Sequence, residues 1–482
     1  MATNYSSFLC FPFSFVLLLF FFGCSKKVEA INGAKELLGN LHQQTHVITV
    51  SSLSPAKVCS TPFKGSEILT SSLKVAHKYG PCSPLKKANT ENLHQILLDD
   101  QTRVNYINSK ISDQSTIETS AVQIPANSGI SLGTGNYVVK IGIGTPKQDF
   151  TVIFDTGSDL TWIQCQPCAV QCYSQQDPIF NPFKSSTYAN ISCGTNACKQ
   201  MQSASGNTQA CTTKSTCSYE VAYGDGSYSI GYFARDKLTL STSSDSFLKF
   251  RYGCGQENQG LFGSADGLLG LGRNKMSMVS QTAKKYGKIF SYCLPPRSSS
   301  TGYLAFGQQV GSTSKIKYTQ LLTDKRGSSF YFLNLTGISV GGKKLGISAS
   351  VFTTSGTIID SGTVITRLPP SAYSKLRSRF RQGMSKYPTA PAYSILDTCY
   401  NLSGHTTVAV PTIVLRFARR TDLNVDVSGI LIQASSTQYC LAFAGNSAST
   451  YLGIIGNMQQ QTKEVVYNVA VGKLGFGAGA CS

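Results

Sequence analysis

The chain of 482 residues carries one tryptophan, five histidines and a charged fraction of only 14%. With His405 the sole histidine beyond residue 122, a Ser-His-Asp triad or a histidine-built metal centre lacks partners. No Lys-Ser/Thr follows the glycine clusters, which excludes a phosphate-binding loop of the usual kind. Beyond the first 30 residues no run is long and apolar enough to span a bilayer. A coiled coil or a disordered chain would carry more charge. What is present instead is 44 Gly, 23 Tyr and 25 Phe in a chain that is 41% hydrophobic. Strand-forming residues with many turns and ample core material predict an all-β protein.

The net charge is +19. From Val122 onward there are 32 Lys+Arg against 16 Asp+Glu, leaving +16 on the main body. A basic body can serve a polyanion, nucleic acid included, but no long Lys/Arg run concentrates the charge. Dispersed solvated charge is the favoured reading, and nucleic acid is a disfavoured partner.

Phe8 to Phe22 is a nearly unbroken Phe, Leu and Val run, too short for a comfortable span, and Val28-Glu29-Ala30 follows with small residues. Residues 1–30 read as a cleaved signal peptide. Cys10 and Cys24 leave with it, and Cys59 and Cys82 lie in the next segment. The twelve that remain are Cys165, Cys168, Cys172, Cys193, Cys198, Cys211, Cys217, Cys254, Cys293, Cys399, Cys440 and Cys481. An even count behind a signal peptide reads as six disulfides in an oxidising compartment. A zinc reading of Cys165-x-x-Cys168 finds no second Cys/His pair, so no metal and no cofactor is expected. Asn190, Asn334 and Asn401 head glycosylation sequons.

Residues 31–121 have more Lys, Glu and Leu and less Gly than the remainder. Leu93, Ile96, Leu97 and Val104 recur at helical spacing, predicting a helix within Glu91 to Ile107. Gln114 to Thr119 is polar and suits a cleavable hinge, so this segment reads as a propeptide. From Tyr137 the texture is of short strands and Gly/Ser turns. A helix is predicted over Ser371 to Met384, with Tyr373, Leu376 and Phe380 on one face, and a shorter one over Gln281 to Tyr286.

One pattern occurs twice. Ile153-Phe154-Asp155-Thr156-Gly157-Ser158 matches Ile358-Ile359-Asp360-Ser361-Gly362-Thr363. Each is followed by an apolar pair between glycines, Gly267-Leu268-Leu269-Gly270 and Gly453-Ile454-Ile455-Gly456. A repeat this long means two similar lobes. One such Asp-Thr-Gly is usually a plain turn, but two with matched flanks are not. Lobes related by a pseudo-twofold axis would bring Asp155 and Asp360 together. Two carboxylates that close cannot both ionise, so they share a proton. The ionised one can activate a water while the protonated one polarises a carbonyl. The neighbouring Thr and Ser hydroxyls are expected to donate to carboxylate or backbone.

These residues resemble the pepsin-like aspartic proteases, from about Tyr137 to Ser482. The resemblance implies that Asp155 and Asp360 are the catalytic pair. It implies that Tyr223, in Tyr223-Gly224-Asp225-Gly226-Ser227, is the tyrosine of a flap over the substrate, and that Trp162 hydrogen-bonds it. Ser158 and Thr363 would orient the carboxylates, and Asp225 and Thr366 would lie near substrate. The chain is most similar to the atypical plant branch with nepenthesins and the chloroplast-nucleoid DNA-binding-type proteases, which has a cysteine-rich insert where Cys165 to Cys217 stands. By that likeness the disulfides would be Cys165–Cys168, Cys172–Cys254, Cys193–Cys217, Cys198–Cys211, Cys293–Cys481 and Cys399–Cys440.

The expectation is a bilobal all-β fold with a few short helices: a signal peptide at 1–30, a propeptide at 31–121 and lobes at 122–325 and 326–482. The expected function is a secreted, monomeric aspartic endopeptidase acting on proteins and peptides at acid pH. It would be made as a zymogen whose propeptide cations pair with carboxylates. The apoplast is the expected site, with the vacuole as alternative. A non-catalytic binding or inhibitor protein on the same scaffold is one rival reading, against which the intact Asp and Gly turns argue, and a protease with additional DNA binding is the other, for which the basic body lacks a cluster.

Overall fold

A computed structural model describes residues 44–482 except 55–57, 60–70, 86–92, 114–136, 206–210, 224–226, 241–244, 261, 297–299, 308–314, 480 and 482. The expected signal peptide at 1–30, the expected hinge at Gln114 to Thr119 and Asp225 lie outside the described residues.

The chain from Gln44 onward is a bilobal β-protein. In the first lobe Tyr137–Ile143 pairs antiparallel with Gln148–Asp155, and the long hairpin Tyr228–Leu240/Ser246–Gln259 packs beside them. Tyr228–Leu240 alternates buried and less buried positions along most of its length, as a strand with one core face must. Tyr137–Ile143 is buried at six of its seven positions, because it has cover on both faces. The second lobe has Leu335–Val340 against Ile413–Phe417 and Thr421–Asn424, and a separate sheet of Cys399–Asn401, Gln438–Leu441 and Leu431–Gln433.

Below both lobes runs a shared antiparallel sheet. Ile289–Cys293 pairs with Gly302–Phe306 on one side and Lys463–Asn468 on the other, and the latter continues to Lys473–Ala478. The N-terminal segment completes it. Ser72–His77 lies antiparallel to Gly302–Phe306 and, at Ala76 and His77, to Tyr137–Ile143. Leu73 and Val75 enter the main core. Further upstream, Thr45–Thr49 pairs with the second lobe's Thr407–Pro411.

The helix over Pro370–Gly383 opens with a proline in its first turn and buries Ala372, Tyr373, Leu376 and Phe380. Each large side chain so buried contributes roughly 1.5–3 kcal/mol. Where one short helix was expected at Gln281 to Tyr286, two single turns occur, Met278–Gln281 and Ala283–Tyr286, the second closed by Gly287 in the left-handed region.

Cys293–Cys481 and Cys399–Cys440 form as the resemblance implied. The other four implied pairs are wrong. The structure joins Cys165–Cys254, Cys168–Cys172, Cys193–Cys211 and Cys198–Cys217, and also Cys59–Cys82 in the N-terminal segment. Register explains the first. Trp162–Gln164 runs parallel beside Gly253–Gly255, and Cys165 continues that pairing through its N–H to the Gly255 carbonyl. Ile163 is the register partner of Cys254, so Cys165, two residues on, shares the face of Cys254 and reaches it diagonally, and Cys168 is left to close a local loop with Cys172. Burial sorts the second set. Cys198, on the short helix Asn196–Ser205, and Cys217 are both buried, while Cys193 and Cys211 stand toward the surface.

Non-reducing peptide mapping should recover the Cys165–Cys254 and Cys198–Cys217 cross-links. Recovery of Cys172–Cys254 instead would contradict the observed strand register.

Candidate active site

The two repeats form matching loops at the bottom of the cleft. Gly267–Gly270 lies parallel to the end of Gln148–Asp155, with Gly270 beside Asp155. Gly453–Ile455 lies parallel to Thr357–Ile359 in the same way. Each aspartate therefore leaves a buried strand pinned by an apolar neighbour. The glycine after each loop is forced by contact. A Cβ on Gly270 would come within 2.3 Å of the Asp159 backbone, and one on Gly456 within 2.5 Å of the Val364 carbonyl oxygen.

Asp155 and Asp360 meet across the lobe boundary, exposed by 1% and 0%. Gly157 N–H donates to Asp155 Oδ1 at 2.9 Å and Gly362 N–H to Asp360 Oδ1 at 3.0 Å. A Cβ on Gly157 would lie 2.7 Å from Asp360 Oδ1, and one on Gly362 would lie 2.4 Å from Asp155 Oδ1. Only glycine lets each loop approach the opposite carboxylate. The loops also grip each other. Thr156 N–H donates to Ser361 Oγ at 3.1 Å, and Ser361 N–H donates to Thr156 Oγ1 at 2.9 Å. Each hydroxyl here accepts from the backbone of the opposite lobe.

Thr363 Oγ1 donates to Asp360 Oδ2 at 2.6 Å. Ser158 stands at the matching place beside Asp155, near enough to favour its ionised form, but its hydroxyl and Asp155 Oδ2 do not meet in hydrogen-bond geometry. Trp162 Nε1 donates to the Tyr223 hydroxyl at 2.7 Å, and both rings sit edge-on to Phe262. Tyr223 ends the hairpin Ser218–Ala222/Tyr228–Leu240. Thr366 does not face the cleft. Its hydroxyl is buried under the loop, donating to Gln459 Oε1 and accepting from Gly456 N–H. Asn190 and Asn401 are exposed and Asn334 is half-buried.

Sequence reasoning missed the residue that holds the pair. The helix Leu93–Asp113 lies across the cleft and places Arg103 between the two aspartates. Its Nη2 donates to Asp155 Oδ1 at 2.8 Å and to Asp360 Oδ2 at 2.9 Å, and its Nε donates to Asp360 Oδ2 at 3.0 Å. One turn away Asp100 accepts Val364 N–H and Ile365 N–H at 2.6 and 3.0 Å and pairs with Arg367 Nη2 at 2.9 Å. Tyr106 donates to the Ala222 carbonyl beside Tyr223, and Leu452 N–H donates to Asn108 Oδ1. A signal did exist. Ile96, Leu97, Asp100, Arg103, Val104, Ile107, Asn108 and Ile111 form one buried stripe, so two charged residues stand where a helix normally buries only apolar ones.

Electrostatics splits the pair. Burial, helped by Asp360's charge and opposed by Arg103, raises Asp155 above the ordinary aspartate range. Burial also pushes Asp360 up, but Arg103, Thr363 and Gly362 outweigh it and hold its carboxyl below that range. For Arg103, burial disfavours the charged form, yet the two carboxylates override it and raise its pKa. A third acid, Asp159, is pushed up to about 6 by burial, against hydrogen bonds from Ser329 and Asn274 N–H.

Two pseudo-symmetric lobes, each presenting an aspartate from an Asp-small-Gly loop to one cleft, define the architecture of an aspartic protease. The comparisons agree. Family models described as xylanase inhibitor N-terminal and C-terminal match residues 137–308 and 330–478. An aspartyl protease family protein of Arabidopsis thaliana is 50% identical over 91% of this chain and 93% of its own length. Nepenthesin-2, an aspartic proteinase of Nepenthes gracilis, is 37% identical over 79% of this chain and 83% of its own. The crystal structure of basic 7S globulin from soybean shares the fold, with a TM-score of 0.57 and 20% identity over 71% of this chain and 91% of that one. The chain belongs to the pepsin-like aspartic protease family.

Replacing Arg103 with Met should leave two facing carboxylates without a counter-ion and cost about 3–5 kcal/mol of stability at neutral pH. Asp360's lowered pKa contributes stability that is present above the ordinary aspartate range and lost as pH falls below it. The difference between wild type and variant in chemical denaturation should therefore shrink on acidification. A difference that stays constant from pH 7 to about 3 would rule this account out.

Proposed function

We propose that this protein is a secreted aspartic endopeptidase made as a zymogen, with Asp155 and Asp360 as the catalytic pair. The observation that carries the reading is Arg103, which bridges both carboxylates from a helix that fills the cleft. A cation in that position neutralises the pair and excludes substrate together. Residues 31–121 are the propeptide in this reading, and residues 122–482 remain after its removal. Glycans at Asn190 and Asn401 would meet only solvent. A signal peptide at 1–30 and the seven disulfides among the described residues support an extracellular destination. No described helix is long and apolar enough to cross a membrane.

With the helix gone, the pair holds one proton at working pH. A water between the carboxylates loses a proton to the ionised one as it attacks the scissile carbonyl. The protonated one donates to the carbonyl oxygen, giving a neutral tetrahedral diol. Collapse returns a proton to the leaving amine, breaks the C–N bond and restores the shared proton. The Thr156–Ser361 grip keeps the carboxylates from parting during these transfers, and Tyr223, held by Trp162, closes over the peptide.

Acid would open the zymogen in order. Asp100 and Asp155 take protons first, because burial raises both. Asp360 yields last, below the ordinary aspartate range. Arg103 and Arg367 are then buried cations without anions, and the helix is expelled.

Acid-treated protein should cleave a peptide substrate with an optimum below about pH 5, and pepstatin, Asp155→Asn and Asp360→Asn should each remove the activity. Arg103→Gln should move activation to higher pH. Cleavage that survives either aspartate substitution would overturn the assignment, and correctly processed protein with no activity would favour the binding-protein reading.

A further inference from the structure

In the described fold Arg367 is wholly buried, and Asp100 is its only ion-pair partner. Its Nη1 donates to the Ile365 carbonyl, and its Nε has no hydrogen-bond partner. Around the same Asp100 carboxylate stand two backbone donors, Val364 N–H on one oxygen and Ile365 N–H on the other. A guanidinium and two amides converging on one carboxylate make a built oxyacid site on the second-lobe wall of the cleft. Their present occupant belongs to the helix that also carries Arg103.

This subsite rests on the proposed reading of that helix as a removable prosegment. When it leaves, Val364 N–H, Ile365 N–H and Arg367 all lose their acceptor at once. The guanidinium and the two amides then stand as converging donors that another carboxylate can satisfy. The vacated place lies on the wall against which a substrate must run. We infer that Arg367, with the Val364 and Ile365 amides, is a specificity subsite that selects a substrate carrying an Asp or Glu side chain close to the scissile bond. Asp100 occupies it in the zymogen as a substrate mimic.

The distance along the substrate follows from the helix. Asp100 and Arg103 are three residues apart, so their side chains leave the helix about 5–6 Å from each other. An extended peptide advances about 3.3 Å per residue. The acidic side chain therefore falls within about two residues of the bond that Asp155 and Asp360 flank. Arg367 is the specificity residue here, and it takes no part in the bond-breaking steps.

The test uses processed wild-type enzyme and internally quenched peptides with amidated C-termini, so that only a side chain can supply the carboxylate. Peptides differ by Asp or Asn at one position at a time. One position near the scissile bond should show kcat/KM for Asp about tenfold or more above that for Asn at about pH 5. The ratio should collapse at about pH 3, where the substrate carboxyl is protonated. Arg367→Gln should bring the ratio at pH 5 to about one, a change that loss of packing alone does not produce. If that variant does not fold, the wild-type ratio and its pH dependence decide. Cleavage with no Asp preference at any position, or a preference that persists at pH 3, overturns the subsite and leaves the protease reading standing. Processed wild-type enzyme that cuts no peptide overturns both.

Discussion

Two carboxylates buried face to face are the constraint around which the rest is arranged. Left alone, Asp155 and Asp360 would repel in a medium with little screening. Three devices hold them together. Glycines at 157 and 362 remove the Cβ atoms that would keep the loops apart. Reciprocal bonds between Thr156 and Ser361 tie the backbones, so neither loop can withdraw without breaking two hydrogen bonds at the lobe boundary. The guanidinium of Arg103 supplies the charge. Its planar fork suits this place better than an ammonium, since one nitrogen reaches both carboxylates while a second reaches Asp360 alone.

The N-terminal segment is bound by three kinds of interaction. Ser72–His77 adds a strand to the sheet shared by the lobes, and Thr45–Thr49 adds one to an edge of the second lobe. Backbone pairing of this kind is insensitive to mild acid. The helix Leu93–Asp113 is held by an apolar stripe and by three buried ion pairs. The ion pairs depend on carboxylate ionisation, and all three sit in the cleft. The helix contacts that respond to acid are therefore concentrated in the cleft, apart from the strand pairings.

Much of this could be read from the sequence. Asp155 and Asp360, their glycines and their apolar partners were legible because a repeat encodes symmetry directly. The helix at Pro370–Gly383 was legible because its proline and its apolar period agree. Four disulfides were not. Cys165, Cys168, Cys172 and Cys254 can be joined in several ways, and the choice is made by a parallel pairing between Trp162–Gln164 and a strand some 90 residues away. Nor were the acceptors of Thr156 and Ser361, because a cross-lobe bond has no local signature.

Arg103 and Asp100 belong to a different class. Their positions in a buried helical stripe are visible in the sequence, but a charge on an apolar face reads as a defect until its partner is known. The partners of Arg103 lie 52 and 257 residues away, and those of Asp100 about 265. The helix answers the cleft charge for charge, an anion to Arg367 and a cation to the two aspartates. Reading that match needs the structure, since only the fold shows that the helix lies in the cleft with its buried stripe facing the wall.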